Sequence, residues 1–121
     1  MKTNTFALAA LSVLALAIAG CRSTGEFVPL SNGVEESVEC VNLEHARLPD
    51  GRLQVAAMLH NLENRRIQVQ VDCQFEDEHG VVIDSTPFEN VILTENARED
   101  VKFVSMNDKA ERFFIRVREA R

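Results

Sequence analysis

Three cysteines and three histidines are the residues of this 121-residue chain with the most chemistry to offer. A thiolate is a nucleophile and a soft metal ligand; a neutral imidazole is a base and a ligand close to neutral pH. His45 and His60 would lie on the two arms of a hairpin turning at 49–51, near enough to share a metal. No third ligand joins them at a recognised spacing, so no metal site is expected. His79 sits in the turn Glu78-His79-Gly80, a place for solvent-exposed side chains. Ser31, Ser37, Ser85 and Ser105 lack the Gly-x-Ser-x-Gly setting of a nucleophile elbow. The carboxylates of Glu76-Asp77-Glu78 and Glu99-Asp100 are adjacent charges, whereas general acid–base work needs carboxyl groups in unlike environments. There is no Gly-rich phosphate loop and no Cys-x-x-Cys pair. An enzyme is not expected.

Cys21 stands apart. It follows the run Phe6–Ile18, which is nearly all apolar, is preceded by the single positive charge Lys2, and ends in the small residues Ala19 and Gly20. A run of thirteen residues is too short to cross roughly 30 Å of hydrocarbon, which takes roughly 20. A positive start, a short apolar stretch and a small-residue exit describe an export signal. Its end, Ile18-Ala19-Gly20-Cys21, resembles the bacterial lipobox, with cleavage between Gly20 and Cys21. Only the thiol of Cys21 can take a diacylglyceryl group as a thioether. Together with an N-acyl chain, such a lipid makes membrane attachment lasting, at roughly 0.8 kcal/mol per buried CH₂. No other cofactor is expected. The resemblance to Gram-negative lipoproteins implies more. Arg22 stands where a retained inner-membrane protein commonly has aspartate, so the implied address is the outer membrane, facing the periplasm.

Removal of residues 1–20 takes Lys2 and moves the formal charge from −6 to −7. An acidic domain does not attract phosphate backbones, so nucleic acid is not an expected partner. Arg112, Arg116, Arg118 and Arg121 crowd the C-terminus and are expected on the solvent face of an edge strand. With Cys21 lipidated, Cys40 and Cys73 are left in an oxidising compartment and could form a disulfide. A bridge spanning about 33 residues would contribute roughly 3–4 kcal/mol. The alternative is that Cys73 is a small buried apolar residue and Cys40 lies elsewhere.

The elements that must position these residues read as strands. Residues 21–36 are polar and turn-rich, broken by Gly25, Pro29 and Asn32-Gly33, and read as a lipidated N-terminus and flexible tether on which Phe27, Val28 and Leu30 could still dock. Residues 37–121 read as the folded domain. Ile67, Val69, Val71, Cys73 and Phe75 alternate with Gln68, Gln70, Asp72, Gln74 and Glu76, which means a long strand with one face in a core and one in water. Leu53–His60, Val101–Phe103 and Phe113–Val117 alternate likewise, and Val81–Ile83 and Val91–Leu93 are short β-branched runs. Between Cys40 and Val41 the parity breaks, as at a bulge or at a switch between sheets. About seven short strands at regular spacing predict an all-β fold, an antiparallel β-sandwich.

Asn61, the run Ile67-Gln-Val-Gln-Val-Asp-Cys-Gln-Phe75 with Asp77-Glu-His-Gly80, Val91-Ile-Leu93 and Phe114-Ile-Arg-Val117 together resemble the YcfL-like family of small periplasmic lipoproteins. The resemblance covers Leu53 to the C-terminus. It departs at Cys73 and Glu76, where the family favours aromatics, and at Ser105-Met106, where a proline is usual. It implies an immunoglobulin-like sandwich and a periplasmic location, and brings no activity. The reading is a lipid-anchored, non-catalytic envelope accessory protein with a membrane anchor and a periplasmic protein partner. The alternative is a periplasmic lipoprotein that binds a small ligand or a metal through its histidines and methionines.

Overall fold

The computed structural model describes residues 24–120. The export signal 1–20, the cleavage point at Gly20 and the lipidation residue Cys21 lie outside them, as does Arg121. Eight strands and one helical turn follow in the order β1 (Thr24–Pro29), α1 (Val34–Ser37), β2 (Val38–Arg47), β3 (Leu53–Asn61), β4 (Ile67–Glu76), β5 (Val82–Ser85), β6 (Glu89–Leu93), β7 (Arg98–Val104) and β8 (Arg112–Glu119). They make two sheets. The larger runs β1-β8-β4, with β5 and β6 both on the far edge of β4; the smaller runs β2-β3-β7. Every pairing is antiparallel except β1 with β8.

Alternation decides which faces meet. Ile67, Val69, Val71, Cys73 and Phe75 of β4 and Phe113, Ile115 and Val117 of β8 are buried, as are Leu53, Val55, Ala57 and Leu59 of β3 and Val101 and Phe103 of β7. These inward faces form one hydrophobic cluster between the sheets. Burial of this apolar surface is the main term holding the layers together. The all-β sandwich read from the period-two pattern is thus the architecture observed.

β5 and β6 are one edge strand broken in the middle. Thr86 still pairs with Cys73, its N–H donating to the Cys73 carbonyl at 3.0 Å and its hydroxyl accepting from the Cys73 N–H at 2.9 Å. Pro87 then has no N–H to give, and the ladder resumes only at Glu89. The parity break in β2 is a bulge: the register with β3 slips between Cys40 and Asn42. Val41 is put outside, while Cys40 and Leu43 both lean on the core.

Two expectations need correction. The segment read as a tether is folded from Thr24: β1 pairs with β8 from Thr24↔Arg112 to Pro29↔Val117, and Phe27 packs against the core. A six-residue strand with one apolar anchor carries too little periodicity to stand out between Gly25 and Pro29. Gly25 is there for a close approach, since a Cβ on it would fall 1.9–2.5 Å from the Phe113 ring. It follows that β8 is no edge strand; it lies between β1 and β4, and its arginines have another task.

Candidate interaction face

On the outer side of the larger sheet, β4 turns out Gln68, Gln70, Asp72 and Gln74. The register sets Arg118 opposite Gln70 and Arg116 opposite Asp72. Directly opposed residues of an antiparallel pair have Cβ atoms about 4.5–5.5 Å apart, so the side chains must interact. Arg116 donates from Nε (2.8 Å) and Nη2 (2.5 Å) to the two carboxylate oxygens of Asp72. Two parallel bonds of this kind are the strongest ion-pair geometry open to a carboxylate. They raise the pKa of Arg116 above its ordinary value. Arg118 donates from Nε to Gln70 Oε1 at 2.8 Å.

Phe88, just before β6, completes the cluster. The Arg118 guanidinium carbon lies 3.6 Å from its ring centroid and that of Arg116 5.5 Å, both within cation–π reach. Gln68 and Gln70 donate to Asn90 Oδ1 at 3.3 and 3.1 Å. Ile92, opposite Gln68 on β6, is 52% exposed on the same side. Asp72, by contrast, is only 1% exposed although it belongs to the outward series. Its neighbours have roofed it over.

The remaining buried polar groups are also engaged. Asn61 donates from Nδ2 to the carbonyls of Arg65 (2.8 Å), Leu93 (3.1 Å) and Thr94 (2.9 Å) and accepts from the Glu63 N–H at 2.9 Å. It ties the 62–66 loop to the end of β6 and so joins the two sheets. Ser105 Oγ accepts from the Leu53 N–H (2.9 Å) and donates to the Asn107 carbonyl (2.7 Å). Buried polar side chains bonded in this way hold the loops in place.

The thiols are free in this structure. Cys40, at the β2 bulge of the smaller sheet, directs Sγ to the Asn42 carbonyl at 3.2 Å. Cys73 is buried on β4 of the larger sheet, with Sγ 3.9 Å from the Gln74 carbonyl. Burial raises both thiol pKa values, that of Cys73 most strongly, with the Asp72 charge adding to it. The histidines do not meet. His45 is opposite Val55 and His60 opposite Glu39, five residues apart along β3 and so about 17 Å. His60 Nδ1 sits 2.9 Å from Glu39 Oε2, and the His45 ring packs at 5.5 Å on Phe113. Among the described residues no group of three His, Cys, Asp or Glu side chains is placed to hold a metal.

At the turn 77–81, Asp77 Oδ1 accepts from the Val81 (3.0 Å) and His79 (2.8 Å) main-chain N–H groups. These bonds, Val81's first, hold its carboxyl below the ordinary range. At the opposite end of the sandwich an open groove of about 450 Å³ is lined by Val34, Ser37, Arg65, Arg66, Gln68 and Glu119 among others.

The two packed sheets, with a self-paired polar outer face on the larger one, define the class of this domain as an all-β sandwich. The chain belongs to a family described as "Protein of unknown function (DUF1425)", whose model matches residues 26–119. A crystal structure of a DUF1425 family member from Shewanella sp. pv-4 is similar with a TM-score of 0.63 and 19% identity, over 69% of this chain and 79% of that one. The crystal structure of Campylobacter jejuni cj0090 is also similar, TM-score 0.63 at 10% identity, over 78% of this chain and 97% of that one. Among curated proteins no match is found. At these identities the two structures speak for the fold.

The ion pair and its Phe88 cover were missed from sequence. Alternation put Asp72 in water with its glutamine neighbours. The signal was Arg116 and Arg118 at the same spacing on another strand, but a pairing register joins them only once β8 is known to lie beside β4.

Proposed function

We propose that the protein is a lipid-anchored, non-catalytic accessory protein of the bacterial envelope, of the YcfL-like kind. Acyl chains on Cys21 hold it at the outer membrane on the periplasmic side, where it engages a protein partner. One observation carries this reading: Ile18-Ala19-Gly20-Cys21 stands directly ahead of a domain whose first strand begins at Thr24. Cleavage before Cys21 frees a lipidated residue and leaves every described strand whole. The non-catalytic part is supported by the engagement of Asn61, Asp72 and Ser105 with their neighbours.

For the partner, the outer face of the larger sheet is the best-supported surface. It combines an aromatic ring under two guanidinium groups with the exposed Ile92, and Arg and aromatic side chains are the types enriched where proteins meet. A photoreactive residue at Ile92 should give an adduct of one defined size in living cells. The same residue at Lys102, on the outer face of the smaller sheet, should give none. Identical patterns from both sites, or none from Ile92, would contradict the assignment.

A further inference from the structure

The sandwich has two ends, and the chain enters at one of them. Thr24 pairs with Arg112 and Arg112 with Glu76, so β1 starts beside the turns 48–52 and 77–81 and the 105–111 loop. α1, the 62–66 loop and the groove lie at the other end. Three exposed large apolar side chains gather at the entry end: Met106 is 79% exposed, Val81 56% and Val82 47%. Val81 and Val82 are consecutive at the start of β5, and the 105–111 loop passes alongside that strand, where the Met106 N–H donates to Asp84 Oδ2 at 2.8 Å. Leu30 (45%) and Leu62 (42%) are less exposed at the far end, so the entry end is the more apolar candidate for a contact surface.

Chain length says what covers it. Only Arg22 and Ser23 separate Cys21 from Thr24. Three peptide steps span at most about 11 Å even when fully extended. The turns at 77–81 and 105–111 project beyond the level of Thr24, since they lie past the end of the β1–β8–β4 ladder. An acyl-bearing Cys21 seated at the headgroup level therefore leaves no room between this end and the bilayer.

We infer that the entry end of the sandwich rests on the lipid surface through Met106, Val81 and Val82, so that the groove end and α1 point away from the membrane. The inference rests on the lipid anchor proposed above and goes further by fixing the orientation. Asp77, Glu78 and Asp108 share a depression at this end with His79 and Lys109, so charges of both signs rim the trio, and the contact is shallow and suits zwitterionic headgroups. A membrane-facing entry end also leaves the outer face of the larger sheet standing upright, open to a partner from the side.

The chain contains no Trp and no Tyr, so one introduced indole reports its own position alone. Lipidated protein carrying Met106→Trp, Val81→Trp or Leu62→Trp is reconstituted into phosphatidylcholine vesicles with and without brominated acyl chains, and flotation is scored first. Leu62, 42% exposed at the far end, is the control. The expected result is floating protein in which the indoles at 106 and 81 lose most of their emission to bromine while that at 62 is unchanged. Floating protein with equal quenching at 62 and 106 overturns the orientation and leaves the anchor standing. Floating protein quenched at none of the three also overturns it, and assigns the trio to a protein partner. Protein that fails to float overturns the anchor, and the orientation with it.

Discussion

The benzyl group of Phe75 is wholly buried between the sheets, whereas Gln74, one residue earlier, lies on the outer face. Phe75→Ala removes a ring from a close-packed core and is expected to cost about 3–5 kcal/mol. Gln74→Ala should stay within about 0.5 kcal/mol. Urea denaturation of the two variants checks the pair; comparable losses would contradict the facing of β4. The Asp72–Arg116 pair should respond unequally to removal of its two ends. The Arg116 side chain is 26% exposed and the Asp72 side chain 2%. A stranded guanidinium can therefore rehydrate at once, whereas a stranded carboxylate regains water only through the gap that Arg116 leaves. Arg116→Ala is expected to cost about 3–5 kcal/mol, and Asp72→Ala about 1–3 kcal/mol. The same denaturation experiment decides, with equal or reversed costs as the contrary result.

At the scale of elements, β1 would turn the proposed lipid attachment into a defined geometry, and Gly25 is what lets β1 lie beside β8. A methyl group there meets the Phe113 ring, which is itself buried and cannot swing away. Gly25→Ala should destabilise by about 1–3 kcal/mol. Phe113→Leu in the same chain should return part of that loss, a coupling that a double-mutant cycle measures. Simple additivity would mean that β1 does not depend on this contact. The longer strands were legible in the sequence because period-two alternation over ten residues has one physical meaning, as in 67–76. The bulge after Cys40 was legible for the same reason, as a break in parity. β1 was not. Its six residues hold a glycine and a proline and pair in parallel with the last strand, a partner that local pattern does not reveal. The buried Asp72 was hidden too, because its burial is made by Arg116 and Phe88 from other strands.

For the whole molecule, the proposed signal and lipobox meet the fold at one point of the chain. Residues 1–20 end where the proposal requires a lipid-bearing cysteine, and the first strand begins three residues later. The proposed membrane attachment, orientation and partner all depend on Cys21 carrying acyl chains. The mass of the mature protein purified from bacterial envelopes measures this most directly. The account predicts a chain that begins at Cys21, without residues 1–20, and heavier than its amino-acid sequence by a diacylglyceryl and an N-acyl group. Cys21→Ser should remove that added mass entirely. A full-length chain, or one cleaved with an unmodified Cys21 thiol, would contradict the account.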